Sequence, residues 1–137
     1  MTNEEKQILM IDLCARLPYG FTVHRYSDGR DITFGKNELD EFAHFLEYSE
    51  GEEFKPYLRP MSSMTEEEKT QLKEEQLKDT RLFAEALTKA AAGDTSMRGK
   101  VIPHFAADWC NKNHFDYRGL IPMGLALEAK EGMYKTN

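Results

Sequence analysis

FTVHRYSDGRDITF, residues 21–34, alternates apolar and polar side chains on both sides of a Ser27-Asp28-Gly29-Arg30 interruption. In an extended chain successive side chains take opposite faces, so Phe21 and Val23, like Ile32 and Phe34, share a side while Thr22 and Thr33 take the other. Asp28-Gly29 is a dipeptide favoured where both turn residues need a positive φ, and the pattern predicts a β-hairpin. His24 and Arg25 fall on opposite faces, and a lone strand histidine reads as a surface or hydrogen-bonded residue rather than a ligand.

Toward the N-terminus, Thr2-Asn3-Glu4-Glu5 fits a capping box and opens a predicted helix over residues 3–16. Leu9, Leu13 and Leu17, joined by Met10 and Cys14, form its apolar stripe, with Glu5, Lys6 and Asp12 mostly off it. Pro18 ends the helix, because proline lacks the N–H and excludes the α conformation from Leu17.

Toward the C-terminus, Asn37 is placed to cap a helix over residues 38–49, with Leu39, Phe42, Ala43 and Leu46 at helical spacing. A second pair of strands competes for this segment, since residues 42–48 are rich in aromatics. Residues 50–53 read as a turn. Residues 54–60, FKPYLRP, are extended, and Pro56 and Pro60 remove two donors, which predicts a sheet edge or a crossing of the core.

Thr65-Glu66-Glu67-Glu68 is a second capping box, opening a helical run to about Ala92. Its first half carries no continuous stripe and is predicted exposed. The second, with Leu82, Phe83, Ala86, Leu87 and Ala90, is predicted docked. Residues 93–96 stop the run, and residues 100–103 are a short extended piece. The segment ADWCNKNHFDYRGLIPMGLALEA, residues 107–129, holds the only Trp. Asp108 is a predicted N-cap for a helix from Trp109 to about His114, and Trp109 is predicted to be core. Residues 113–119 read as an ordered loop turning Phe115 and Tyr117 inward, and Pro122 suits the first turn of a short helix.

At 137 residues the chain suits one domain, residues 1–137, with an α+β fold: a small antiparallel sheet built on the residue 21–34 hairpin, three or four helices packed against it. With 40% hydrophobic and 31% charged residues, a net charge of -6 and a mean hydropathy of -0.65, the composition is globular with a very polar surface. No apolar run approaches the roughly 20 residues of a membrane helix, and the acidic N-terminus is no secretory signal, so the expectation is a cytoplasmic protein without membrane contact. Cys14 and Cys110 are expected to be unlinked thiols, small and buried.

Cys110 and His114, four residues apart, share a helical face that with Asp108 suits zinc, and His104 is near in sequence. A convincing fourth ligand is missing, so no metal or cofactor is predicted. His114 with Asp116, or Cys110 with His114, has the residue types of a base and nucleophile, but nothing nearby suggests an oxyanion hole, and no catalytic residue is assigned. Arg118 is expected to bond loop carbonyls or Asp116. Ser62 and Ser63 precede a helix start that could attract anions, against which the following glutamates argue.

Tyr57, Arg59, Met61 and Met64 combine aromatic, guanidinium and thioether groups in one extended segment, the mixture found at protein interfaces. These four are the predicted binding residues for an unidentified protein partner. The rival reading has them cover the core. A second function class is a nucleic-acid module using Arg25, Arg30 and Arg59 with Tyr26 and Tyr57, disfavoured by the net charge. A hydrolase or metal enzyme is third.

Three blocks, DLCARLPYG (residues 12–20), KPYLRPMSSMTEEEK (residues 55–69) and DWCNKNHFDYRGLIPMGLALEA (residues 108–129), resemble an uncharacterised family of small proteins common in gut Bacteroidales genomes and their prophages. The resemblance covers about a third of the chain and implies a genomic neighbourhood rather than a chemistry. It suggests a non-enzymatic accessory protein of a prophage or mobile element, acting through protein–protein interaction.

Overall fold

The computed structural model describes residues 2–48, 54–93 and 104–134. The chain divides into two compact units, Met1–Ser63 with Asn111–Asn137, and Met64–Cys110. Among the described residues there are four helices and one four-stranded sheet, an α+β fold.

In the first unit, α1 (Asn3–Arg16) begins where the Thr2 hydroxyl accepts the Glu5 N–H at 3.1 Å, and passes at Pro18 into a 3-10 turn, Leu17–Tyr19. Strands β1 (Phe21–Arg25) and β2 (Arg30–Phe34) form the expected hairpin, Phe21 opposite Phe34 and Arg25 opposite Arg30. Its turn differs from the expectation. Four residues, 26–29, make the connection, only Gly29 among them has a positive φ, and Asp28 accepts bonds from the Arg25 guanidinium and the Arg30 N–H instead.

The next segment is helical, as α2 (Leu39–Tyr48), with Ser49 outside the described residues. Glu38 rather than Asn37 stands at its N-cap position, its carbonyl taking the Phe42 N–H. The buried face is Phe42 and Phe45 with Leu46 beside them, whereas Leu39 and Ala43 are exposed. Phe42 meets the Phe21 and Phe34 rings, each at 5.4 Å, which fixes α2 on the hairpin.

Strand β3 (Phe54–Leu58) is an interior strand, not an edge, in the order β2-β1-β3-β4. Pro56 is tolerated because it sits at a changeover: it is the last residue paired with β1, and the ladder to β4 (Leu127–Glu128) begins at Tyr57. That last pairing is parallel, so the sheet is mixed where an antiparallel one was expected. Residues 120–126, expected to hold a short helix, are successive turns. Asp116 organises them by accepting the Leu120 and Ile121 N–H groups at 2.8 and 2.9 Å.

Strand alternation sends Phe21, Val23, Phe34, Phe54 and Leu58 into a core completed by Leu9, Leu13 and Leu17 of α1 and by Leu120, Leu125 and Ala126. Asp12, read as off the apolar stripe, is fully buried beside Arg16, while Cys14, read as on it, is exposed.

In the second unit, the Thr65 hydroxyl and the Glu68 carboxylate satisfy each other's N–H groups at 3.1 and 3.0 Å, and α3 (Glu66–Ala91) follows. Leu72, Glu75, Asp79, Leu82, Ala86 and Lys89 are half-buried, at alternating three- and four-residue spacing. Phe83 and Leu87, expected to be docked, are exposed. Helix α4 (Phe105–Lys112) starts three residues before Asp108, because Asp79 of α3 accepts the Phe105 and Ala106 N–H groups at 2.7 and 2.9 Å. Trp109, expected in the core, is only half-buried. The expected extended piece at residues 100–103 lies outside the described residues.

Candidate functional site

The sheet face opposite the core carries Thr22 and His24 from β1, Asp31 and Thr33 from β2, and Lys55 and Tyr57 from β3, as the registers require. Asp31 is its hub. The His24 Nδ1 lies 2.8 Å from Asp31 Oδ1, the Tyr57 hydroxyl donates to the same oxygen at 3.0 Å, and the Lys130 ammonium donates to Oδ2 at 3.2 Å. Lys130 also stands 5.3 Å above the Tyr57 ring. Beside this hub, Thr22 and Thr33 share a hydrogen bond at 2.8 Å, and the Tyr26 ring meets His24 at 4.7 Å and nearly a right angle.

The charges follow from these contacts. The bond from His24, with those from Tyr57 and Lys130, holds Asp31 below the ordinary carboxylate range. Burial and then the Asp31 carboxylate push the Tyr57 phenol up, and Asp31 raises Lys130. Asp31 is therefore a carboxylate already bonded to three donors, a poor acceptor for a substrate proton. Positive charge, ring surface and hydroxyls suit recognition better than proton transfer.

A cleft of about 280 Å³ adjoins the hub, with Arg59, Ser63, Glu128, Lys130, Glu131 and Tyr134 among its walls. The Tyr134 hydroxyl donates to the Tyr57 carbonyl at 2.8 Å and accepts the Thr22 N–H at 3.0 Å, and its ring stacks on His114 at 3.8 Å. His114 is the one non-glycine residue with a positive φ, 65°, among those described. Burial, with the Arg16 and Arg59 guanidinia, pushes its imidazole down to about 4. Among the described residues, its buried Nδ1 meets no hydrogen-bond partner, nor do the buried Arg16 Nη1 and Asn111 Oδ1.

The four predicted binding residues do not form one exposed surface. Tyr57 is 5% exposed and Met64 8%, Arg59 is half-buried against the Phe115 ring at 4.0 Å, and only Met61 is exposed. Alternation puts Tyr57 on the outer face of the sheet, and Asp31 and Lys130 cover it there. Of the proposed nucleic-acid residues, Tyr26 and Arg30 are exposed, and both Arg25 and Arg30 pair with Asp28. Arg118 pairs with Asp12 at 3.2 Å rather than with Asp116. Among the described residues no three His, Cys, Asp or Glu side chains gather where they could hold a metal, and His104 and Asp108 are exposed while Cys110 is buried. Lys130 and Tyr134 were not legible in advance, for they follow the last patterned segment and no spacing marks them.

Large apolar side chains are also exposed away from this face, Ile11 at 56% and Leu39 at 58% among them. In α3, Leu77, Phe83 and Leu87 are 54%, 61% and 55% exposed. No protein-family model matches the chain, and no curated protein and no solved structure matches it.

Proposed function

We propose that this chain is a non-enzymatic accessory protein of a prophage or mobile element, and that it acts by binding another protein through α3. The three blocks resembling the gut Bacteroidales family support the setting. One observation carries the mode of action: Leu77, Thr80, Ala84, Leu87 and Ala91 are all exposed and recur at alternating three- and four-residue spacing. That is the spacing of a helix-pair seam, in which Leu77 and Leu87 project beyond the smaller Thr80, Ala84 and Ala91 and leave room between them for the knobs of a second helix. Phe83 flanks the seam and enlarges its apolar area. The occupant is accordingly an amphipathic helix of a partner protein, held by a few large side chains while the charged flanks set its register. A second copy is a poorer fit, because antiparallel pairing that places Leu77 against Leu87 brings the two Arg81 side chains together at its centre.

The test is capture from the native host with tagged wild type and with Leu77→Glu/Leu87→Glu. Both substitutions are at exposed positions, so the fold should persist by circular dichroism. A specific partner retained by wild type and lost with the variant supports the reading. The same partner on both proteins, or a wild-type dimer that the variant turns into a monomer, overturns it.

A further inference from the structure

We propose that the outer sheet face around Tyr26, His24 and Lys55 binds single-stranded nucleic acid, a site separate from the α3 seam. Three independent features point to this ligand. First, the face is aromatic: Tyr26, at 44% the most exposed ring of the hairpin, stands nearly perpendicular to His24, whose ring in turn lies 6.2 Å from that of Tyr57. His24 is itself fixed by Asp31, so Tyr26 leans on an anchored ring rather than on a mobile one. Second, cations stand beside the rings: the Lys55 ammonium lies 5.7 Å from the Tyr26 ring centre, and that of Lys130, which also bonds Asp31, lies 5.3 Å from the Tyr57 ring centre. Third, the outward positions between them carry hydroxyls, Thr22 and Thr33, in place of the apolar side chains that a covering helix or a protein partner would need.

Each feature has its counterpart in a single strand. A flat base stacks on a tyrosine ring whatever its identity, lysines and arginines follow the phosphates, and hydroxyls bond to sugar or base edges. A duplex keeps its bases stacked inside and offers Tyr26 nothing. An acidic peptide would use the cations but leave the ring idle. The net charge of -6 opposes long-range attraction, so binding should be modest and confined to this face.

Fluorescence anisotropy with short labelled oligo(U) and oligo(dT) at low salt tests the proposal. Saturable binding that falls with added salt is expected, weakened about tenfold by Tyr26→Ala and by Lys55→Glu, and kept by Tyr26→Trp. The absence of saturable binding overturns it. So does binding unchanged in both variants, which places the ligand elsewhere, or binding weakened by Lys55→Glu but not by Tyr26→Ala, which reduces it to charge. Equal affinity for a duplex of the same length overturns the single-strand claim. Thermal melts of each variant, compared with wild type, separate lost contacts from lost folding.

Discussion

Asp12 and Arg16 are fully buried one helical turn apart, joined at 2.7 and 3.1 Å, and Arg16 also donates to the Phe115 carbonyl at 2.7 Å. The pair ties α1 to the loop that carries Phe115, so Asp12→Ala, which leaves a buried guanidinium without its carboxylate, should cost about 3–5 kcal/mol by urea unfolding. Asp12→Leu with Arg16→Met should recover part of that loss, because no charge then remains buried; a single variant within about 1 kcal/mol of wild type would remove the pair's role. The pair was invisible in the sequence because i, i+4 charges on a surface helix look identical until one face is closed over. His114 titrates against the same neighbours. With its folded-state pKa near 4 against an ordinary 6.5, the unfolded chain takes up the proton first, so this residue destabilises the fold as pH falls from about 6.5 to 4 and has no such effect above that window. His114→Asn keeps a residue tolerant of the left-handed backbone and removes the titration. Melting curves from about pH 7 to 4 should therefore bring the wild type down relative to the variant; parallel traces would disprove the buried neutral imidazole. The thiols separate by exposure. A thiol reagent should count Cys14 in the native protein and Cys110 only after unfolding, and a native count that survives Cys14→Ser would contradict this.

Asp79 acts between elements, placing both carboxylate oxygens on the first N–H groups of α4. Asp79→Ala should destabilise the protein by about 1–2 kcal/mol, and Trp109 emission, reporting from inside α4, should respond; an unchanged melt and spectrum would mean that α4 starts without this cap. The local cap at Thr65 was readable because donor and acceptor lie three residues apart, whereas Asp79 caps a helix that begins 26 residues later and leaves no local trace. The same distinction runs through the fold. The hairpin, α1, α2 and α3 were legible because periodicity and punctuation are local. The interior place of β3 and the parallel β4 depend on partners about 70 residues apart, and the prolines argued the wrong way because the cost of Pro56 vanishes where the ladders change over and Pro60 lies beyond the strand. The candidate site followed suit: His24 and Asp31 could be placed on one face in advance, but Lys130 and Tyr134 reach that face from the far end of the chain.

At the scale of the whole molecule, apolar burial is unevenly shared between the two units. Every member of the hydrophobic core, from Leu9 to Ala126, belongs to Met1–Ser63 with Asn111–Asn137, and within Met64–Cys110 the buried apolar residues among those described are Met64 and Cys110. No change of composition announced this division, since the capping box at Thr65 reads as the start of one more helix of the same domain. Burial of apolar surface is the main force resisting local opening, so stability should be unequal as well. Amide hydrogen exchange should find the slowest sites in β1 and β3, which hold Val23 and Leu58 without exposure and are bonded to neighbours on both sides. The fastest helical sites should lie between Leu77 and Leu87 of α3, where the exposed seam contributes no core of its own. Adding a partner that occupies this seam should slow exchange there and leave β1 and β3 unchanged, because binding stabilises only the state it contacts. Uniform exchange through α3 and the sheet would instead mean that the chain opens as one cooperative body, and the seam would lose its place as the pliable part of the molecule.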